Sequence, residues 1–184
     1  MKSGLPRQAE GFISGAMRAL LVGFSLFGVV AVVGAAPAQN VTSGPTALGV
    51  FADWTAATYV QGGQKICYAF TRPTSSSPTL SGRGEVLLSV TERPGARDEA
   101  ALSAGFSYAK GANVTVTVGG TNLAFYTAGS AAFAREGGAA VQAFKIGYTA
   151  VAHSPGPGGH MVSDSFSLRG FSDAYAAIAQ ACPG

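Results

Sequence analysis

The sequence predicts a mainly β domain: an antiparallel β-sandwich or partly closed barrel of about eight short strands, with a short helix and a C-terminal helix. Three observations predict it. From Leu48 onward, short runs rich in Val, Thr, Tyr and Phe alternate apolar and polar residues. Clusters of Gly, Pro and Ser separate those runs. Only the closing segment changes period, with Phe171, Tyr175, Ile178 and Cys182 spaced as one stripe of a helix.

The first 38 residues stand apart. Lys2, Arg7 and Arg18 precede the uncharged run ALLVGFSLFGVVAVVGAA, which leads into Ala36-Pro37-Ala38. A basic start, an apolar stretch and small residues at the end describe a secretory signal peptide over residues 1–38, cut after Ala38. The alternative is an uncleaved anchor, because the run approaches the length that spans a bilayer. Membrane contact is expected only through this leader. Residues 39–47, QNVTSGPTA, are polar and predict a flexible lead-in, and residues 48–184 form the β domain.

The strands follow in order. GVFADWTAATYV ends at Gly62-Gly63 and QKICYAFT follows, predicting a hairpin. RPTSSSPTLSGR is turn-rich throughout and predicts a loop. EVLLSVTER and ALSAGFSYA are the next two strands. In NVTVTVGGTNLAFYT, Val114, Val116 and Val118 alternate with Thr115 and Thr117, and Gly119-Gly120 can take the positive φ of a tight turn. GGAAVQAFKIG predicts a short helix, and YTAVAH and MVSDSFSL a last strand pair across SPGPGG. Ser172 is the expected N-cap of the closing helix. The single tryptophan, Trp54, lies on an alternating strand and predicts a core anchor.

Export leads to an oxidising compartment, and two cysteines permit one intrachain bond, Cys67–Cys182. In QKICYAFT the larger Ile66, Tyr68 and Phe70 are expected in the main core. The smaller face, with Cys67, is expected to receive the terminal helix.

Charge and motifs exclude several chemistries. After residue 38, nine Lys and Arg oppose eight Asp and Glu, a mature charge of +1, and the basic residues are scattered. Nucleic-acid binding needs a concentrated positive surface, so none is expected. His153 and His160 flank SPGPGG but lack the further ligands of a metal site. No Walker A loop, dinucleotide fingerprint or nucleophile elbow is present, and most carboxylates are expected on the surface. The reading is therefore a protein without catalytic residues, metal or cofactor. Recognition is expected on two Gly/Pro/Ser-rich loops, carrying Ser75, Ser76, Ser77 and Arg83 in one and His153 and His160 in the other.

GVFADWTAATYVQGGQKICYAF resembles the opening hairpin of the invasion-associated locus B family, in which an aromatic-Gly-Asp-Trp start precedes a Cys-Tyr-Ala strand. Asp53, Trp54, Cys67, Tyr68 and Ala69 fit, and Ala52 stands where the family has Gly. GFSYAKGANVTVTVGG is similar to the central segment. DSFSLRGFSDAYAAIAQAC is similar to the closing helix that ends in cysteine. The similarity runs from about Gly49 to Cys182; HSPGPGGH departs from it. The resemblance implies an exported, β-rich bacterial envelope protein, periplasmic or surface-associated, of a family linked to host-cell entry and without a defined biochemical activity. The expectation is a non-enzymatic binding module with a protein or envelope partner. The alternatives are an envelope enzyme acting on polysaccharide or peptidoglycan and a purely structural protein.

Overall fold

The computed structural model describes residues 44–184. The leader, its expected cut and lead-in residues 39–43 lie outside the described residues. Strand structure begins at Thr46, two residues inside the expected lead-in, with β1 (Thr46–Phe51). The strands that follow are β2 (Trp54–Gln61), β3 (Gln64–Thr71), β4 (Ser75–Ser77), β5 (Leu87–Arg93) and β6 (Ala96–Ser103). Then come β7 (Asn113–Val118), β8 (Thr121–Ala128), β9 (Ala131–Ala134), α1 (Gly137–Ile146), β10 (Thr149–Pro155), β11 (Met161–Ser167) and α2 (Phe171–Ala181).

The described residues form one eleven-stranded sheet in the order β1-β2-β3-β5-β6-β9-β8-β7-β10-β11-β4, every neighbour antiparallel. The edge strands β1 and β4 do not pair, so the sheet is curled and not closed. Three strands beyond the eight expected account for the difference. GVFADWTAATYV is a hairpin, turning at Ala52-Asp53 with Phe51 paired to Trp54. The Ser75–Ser77 stretch, expected as loop, pairs with Ser163–Ser165 as β4. β9 joins β6 to β8. Strands of three and four residues are too short for alternation to reveal. The Gly119-Gly120 hairpin is present as expected, with φ of 52° and 87° and Val118 opposite Thr121.

Period 2 sets the inner face. Trp54, Ala56, Cys67, Ala69, Leu88, Val90, Leu102, Val114, Val116, Phe125, Ala150, Ala152 and Phe166 point into one core. Both helices pack on this face: Phe144 of α1 and Phe171 of α2 meet edge to face at 5.5 Å, and Phe171 meets Trp54 at 4.8 Å.

Two sequence expectations need correction here. On β3 the inner face carries Cys67, Ala69 and Thr71, while Tyr68 and Phe70 are half-buried on the outer face. A cystine bonded to an inward-facing helix position must itself face inward, and strand alternation then sends the aromatics out. The α2 N-cap is Gly170, not Ser172; its φ of 87° lies in the left-handed region and no side chain caps the helix.

The curl is held where the sheet's two ends meet. Trp54 Nε1 donates to the Ser167 carbonyl at 3.0 Å, and Asp53 N donates to the Arg169 carbonyl at 3.2 Å. β2 and β11 each lie second from an edge, so these bonds bridge opposite ends of the strand order. Arg169 Nη2 reaches Asp53 Oδ1 at 3.1 Å and Ser167 Oγ donates to Asp53 Oδ2 at 2.7 Å. Those two donors hold the Asp53 carboxyl below the usual carboxylate range, Arg169 more than Ser167.

Candidate recognition surface

Cys67 and Cys182 form a disulfide with Cα atoms 6.0 Å apart. It fastens α2 to β3 beside a buried charged cluster. A β-bulge sets that cluster: Thr91 pairs with Glu99 and Arg93 with Ala96, so Glu92 faces both Arg97 and Asp98. The Glu92 carboxylate is fully buried. It accepts from Asp98 N at 3.2 Å and lies 2.7 Å from Arg97 Nε, an ion pair not aligned as a hydrogen bond. Burial pushes the Glu92 carboxyl up, against the pull of the Asp98 amide and the Arg97 charge. Arg97 Nη1 also donates to the Cys182 carbonyl at 2.6 Å. Tyr175 of α2 donates to Asp98 Oδ1 at 2.6 Å; burial and that carboxylate raise the phenol well above its ordinary range.

The expected recognition residues part company. The Arg83 side chain is 8% exposed and makes a two-pronged ion pair with the fully buried Asp164, at 2.8 and 2.7 Å. Arg83 Nε donates to the Ala104 carbonyl at 2.7 Å, and the guanidinium lies over the Phe106 ring. Arg83, in the loop between β4 and β5, thus turns its side chain inward. Asp164 and Glu92 likewise depart from the expected surface placement of carboxylates: each is buried with a guanidinium beside it. Ser75, Ser76 and Ser77 are exposed along the edge strand β4, and Ser76 Oγ donates to Asp164 Oδ1 at 2.6 Å. His153 lies within β10, opposite Ser163, and its Nδ1 is 3.1 Å from Ser163 Oγ. His160 is exposed at the end of the turn after β10. Among the described residues no group of three or more His, Cys, Asp or Glu is placed to hold a metal ion.

The surface that does gather side chains is one the sequence reading assigned to the core. On the outer face of β2, β3 and β5, a groove of about 370 Å³ is lined by Tyr59, Tyr68, Phe70, Arg72, Glu85, Leu87, Ser89 and Thr91. Its volume falls at the small end of ligand sites, about 300–1,000 Å³. Register builds it. Tyr68 sits between Ala57 and Thr91, and Phe70 between Thr55 and Ser89, so the aromatics rise from a row of small neighbours. Tyr68 and Phe70 lie nearly parallel, centroids 5.9 Å apart, and Tyr59 meets Tyr68 edge-on at 5.6 Å. Arg72 continues the outer face, its guanidinium 5.7 Å from the Phe70 centroid and ion-paired to Glu85. Burial raises the Tyr68 phenol, with Tyr59 adding to the shift. Phe70 and Arg72 also border a second hollow of about 240 Å³ with Asp53, Thr55, Thr71 and Thr74.

A curled antiparallel sheet, a terminal helix held by one disulfide and an outer aromatic groove define a disulfide-tied β-domain that presents side chains on its sheet surface. The chain belongs to the Invasion associated locus B (IalB) protein family, whose family model matches residues 54–179, from the first residue of β2 into the last turn of α2. No curated protein and no solved structure matches the chain.

Proposed function

We propose that this protein is a non-enzymatic binding module of the bacterial envelope, exported by residues 1–38, whose ligand seats in the groove of Tyr59, Tyr68 and Phe70. The observation that carries the reading is the clustering of three half-buried aromatic side chains on a sheet whose other face holds the core. Half-buried aromatics with a paired charge at the rim are the make-up of recognition sites, where rigid rings give contact area at low entropic cost. The titratable groups with buried partners, Glu92, Asp98, Asp164 and Tyr175, are each engaged by Arg97, Arg83 or one another, which suits a structural duty better than proton transfer. Family membership supports the envelope as the setting and host-cell entry as the context. No helix among the described residues is long and apolar enough to cross a membrane.

A photo-crosslinking residue at Tyr59 tests this. Irradiated envelope fractions should yield a defined adduct from position 59 and none from the exposed Glu136. Equal labelling at both positions, or none at 59, would remove the groove from the proposal.

A further inference from the structure

We infer that the groove binds a glycan carrying N-acetylated hexosamines, an inference that rests on reading the groove as the binding surface. Four features of the site select this class.

First, the groove lies on central strands. Phe70 and Tyr68 are paired on both sides, by β2 and by β5, so no backbone is free to add a strand from a peptide. Recognition must come from side chains alone. Second, the site is electrically balanced. Arg72 and Glu85 are ion-paired, and no second cation lines the groove, so a phosphate or polyanion has no counter-charge to meet. Third, the lining is mixed along its length: two tyrosines, Ser89 and Thr91 bring hydroxyls, while Phe70 and Leu87 are apolar. A pyranose has the same make-up, with C–H faces that stack on aromatic rings and equatorial hydroxyls that take hydrogen bonds. The clustered rings of Tyr59, Tyr68 and Phe70 offer the aromatic contact for such faces.

Fourth, the rim matches an acetamido group. That group offers an N–H donor, a C=O acceptor and a methyl. Glu85 can accept from the N–H and Arg72 can donate to the C=O; their side chains are 57% and 65% exposed, and their mutual bond uses only one of the guanidinium's five N–H groups. Leu87, in the same lining, offers an apolar contact for the methyl. A plain glucan leaves the Arg72–Glu85 pair without its matched partner. Peptidoglycan strands and host-surface glycans both carry this chemistry.

The test uses chain 39–184 and two soluble probes, an N-acetylglucosamine tetramer and cellotetraose, titrated by calorimetry. The acetylated tetramer should bind saturably and at least tenfold more tightly than cellotetraose. Phe70→Leu keeps apolar volume but removes the ring face, and should abolish binding with the circular dichroism spectrum unchanged. Glu85→Gln should narrow the preference between the probes. Co-sedimentation with purified sacculi, lost in Phe70→Leu, assigns the source to peptidoglycan; tetramer binding without co-sedimentation assigns it to another acetamido glycan. Equal affinity for both tetramers, no binding of either, or full binding by Phe70→Leu overturns the glycan assignment. If the tetramer fails while crosslinking at Tyr59 persists, the ligand class falls and the groove stands. If both fail, the groove reading falls with it.

Discussion

Arg83 grips Asp164 with two parallel N–H···O bonds, 2.8 and 2.7 Å long, inside the curl of the sheet. The pair joins the segment after β4 to β11, and Ser76 adds a third bond to the same carboxylate. Removing one member leaves a buried charge unmatched, which costs about 3–5 kcal/mol. Arg83→Ala should therefore lower the chemical denaturation midpoint sharply. Arg83→Met combined with Asp164→Leu should recover most of the loss, because the double change removes both charges. Equal destabilisation by the single and double variants would show that the pair's shape matters more than its charge.

At the β1–β2 turn, Ala52 holds a φ of 50°, a conformation that costs an L-residue about 1–2 kcal/mol. Ala52→Gly relieves that cost and adds back some unfolded-state entropy, for a net gain of about 0.5–1 kcal/mol. Gly170 is the converse case. A β-carbon on it would collide with the Phe51 carbonyl oxygen and crowd the Ala52 β-carbon, at a φ of 87°. Gly170→Ala should destabilise by about 2–5 kcal/mol, from strain and overpacking together. Thermal melts of the two variants should move in opposite directions.

The disulfide closes a separation of 115 residues. In the chain-entropy account such a loop is worth about 4–5 kcal/mol. Replacing Cys67 and Cys182 by Ala should cost up to that amount and make 171–184 the first site of limited proteolysis. Arg97 bonded to the Cys182 carbonyl and Tyr175 bonded to Asp98 then become polar tethers of that segment. Adding Arg97→Ala to the double variant should increase the proteolysis rate again.

Burial raises the Glu92 carboxyl, so its protonated form is favoured in the folded state. The sign follows from linkage. A group with a raised folded value contributes stability that is complete below its unfolded value, near 4.5, and is lost as pH rises through the folded value. Glu92→Gln cannot ionise and escapes that loss. The difference in melting temperature, variant minus wild type, should become more favourable to the variant from pH 4 to pH 7. A difference that moves the other way would mean that the Arg97 ion pair outweighs desolvation.

The β7–β8 hairpin, Trp54 in the core and the closing helix were legible because alternation, one large apolar residue and a 3.6-residue stripe each leave a strong local pattern. β4 and β9 were not, because three or four residues joined by long-range pairing leave none. The groove was hidden by a different ambiguity. On β3 both faces could be buried by composition, and volume alone favoured Ile66, Tyr68 and Phe70 for the core. The inward demand of Cys67 settles the face, and only the helix position of Cys182 carried that information. Arg83 was unreadable for a related reason, since its partner Asp164 lies 81 residues away.

The groove and the two segments expected to recognise partners make separable predictions. Tyr68→Ala removes a half-buried ring from a groove wall and leaves the core cluster of Trp54, Phe125 and Phe171 intact. Its cost to stability should stay near 1–2 kcal/mol, below the ~3–5 kcal/mol of Trp54→Ala. Ligand capture from envelope fractions should nonetheless fall at least tenfold. The paired change Ser75→Ala with Ser77→Ala on the β4 edge, and His160→Ala in the turn, should leave capture within twofold, because these positions sit outside the groove lining. Loss of capture with the serine or histidine changes and its retention in Tyr68→Ala would move the recognition surface to the sheet edge and the β10–β11 turn.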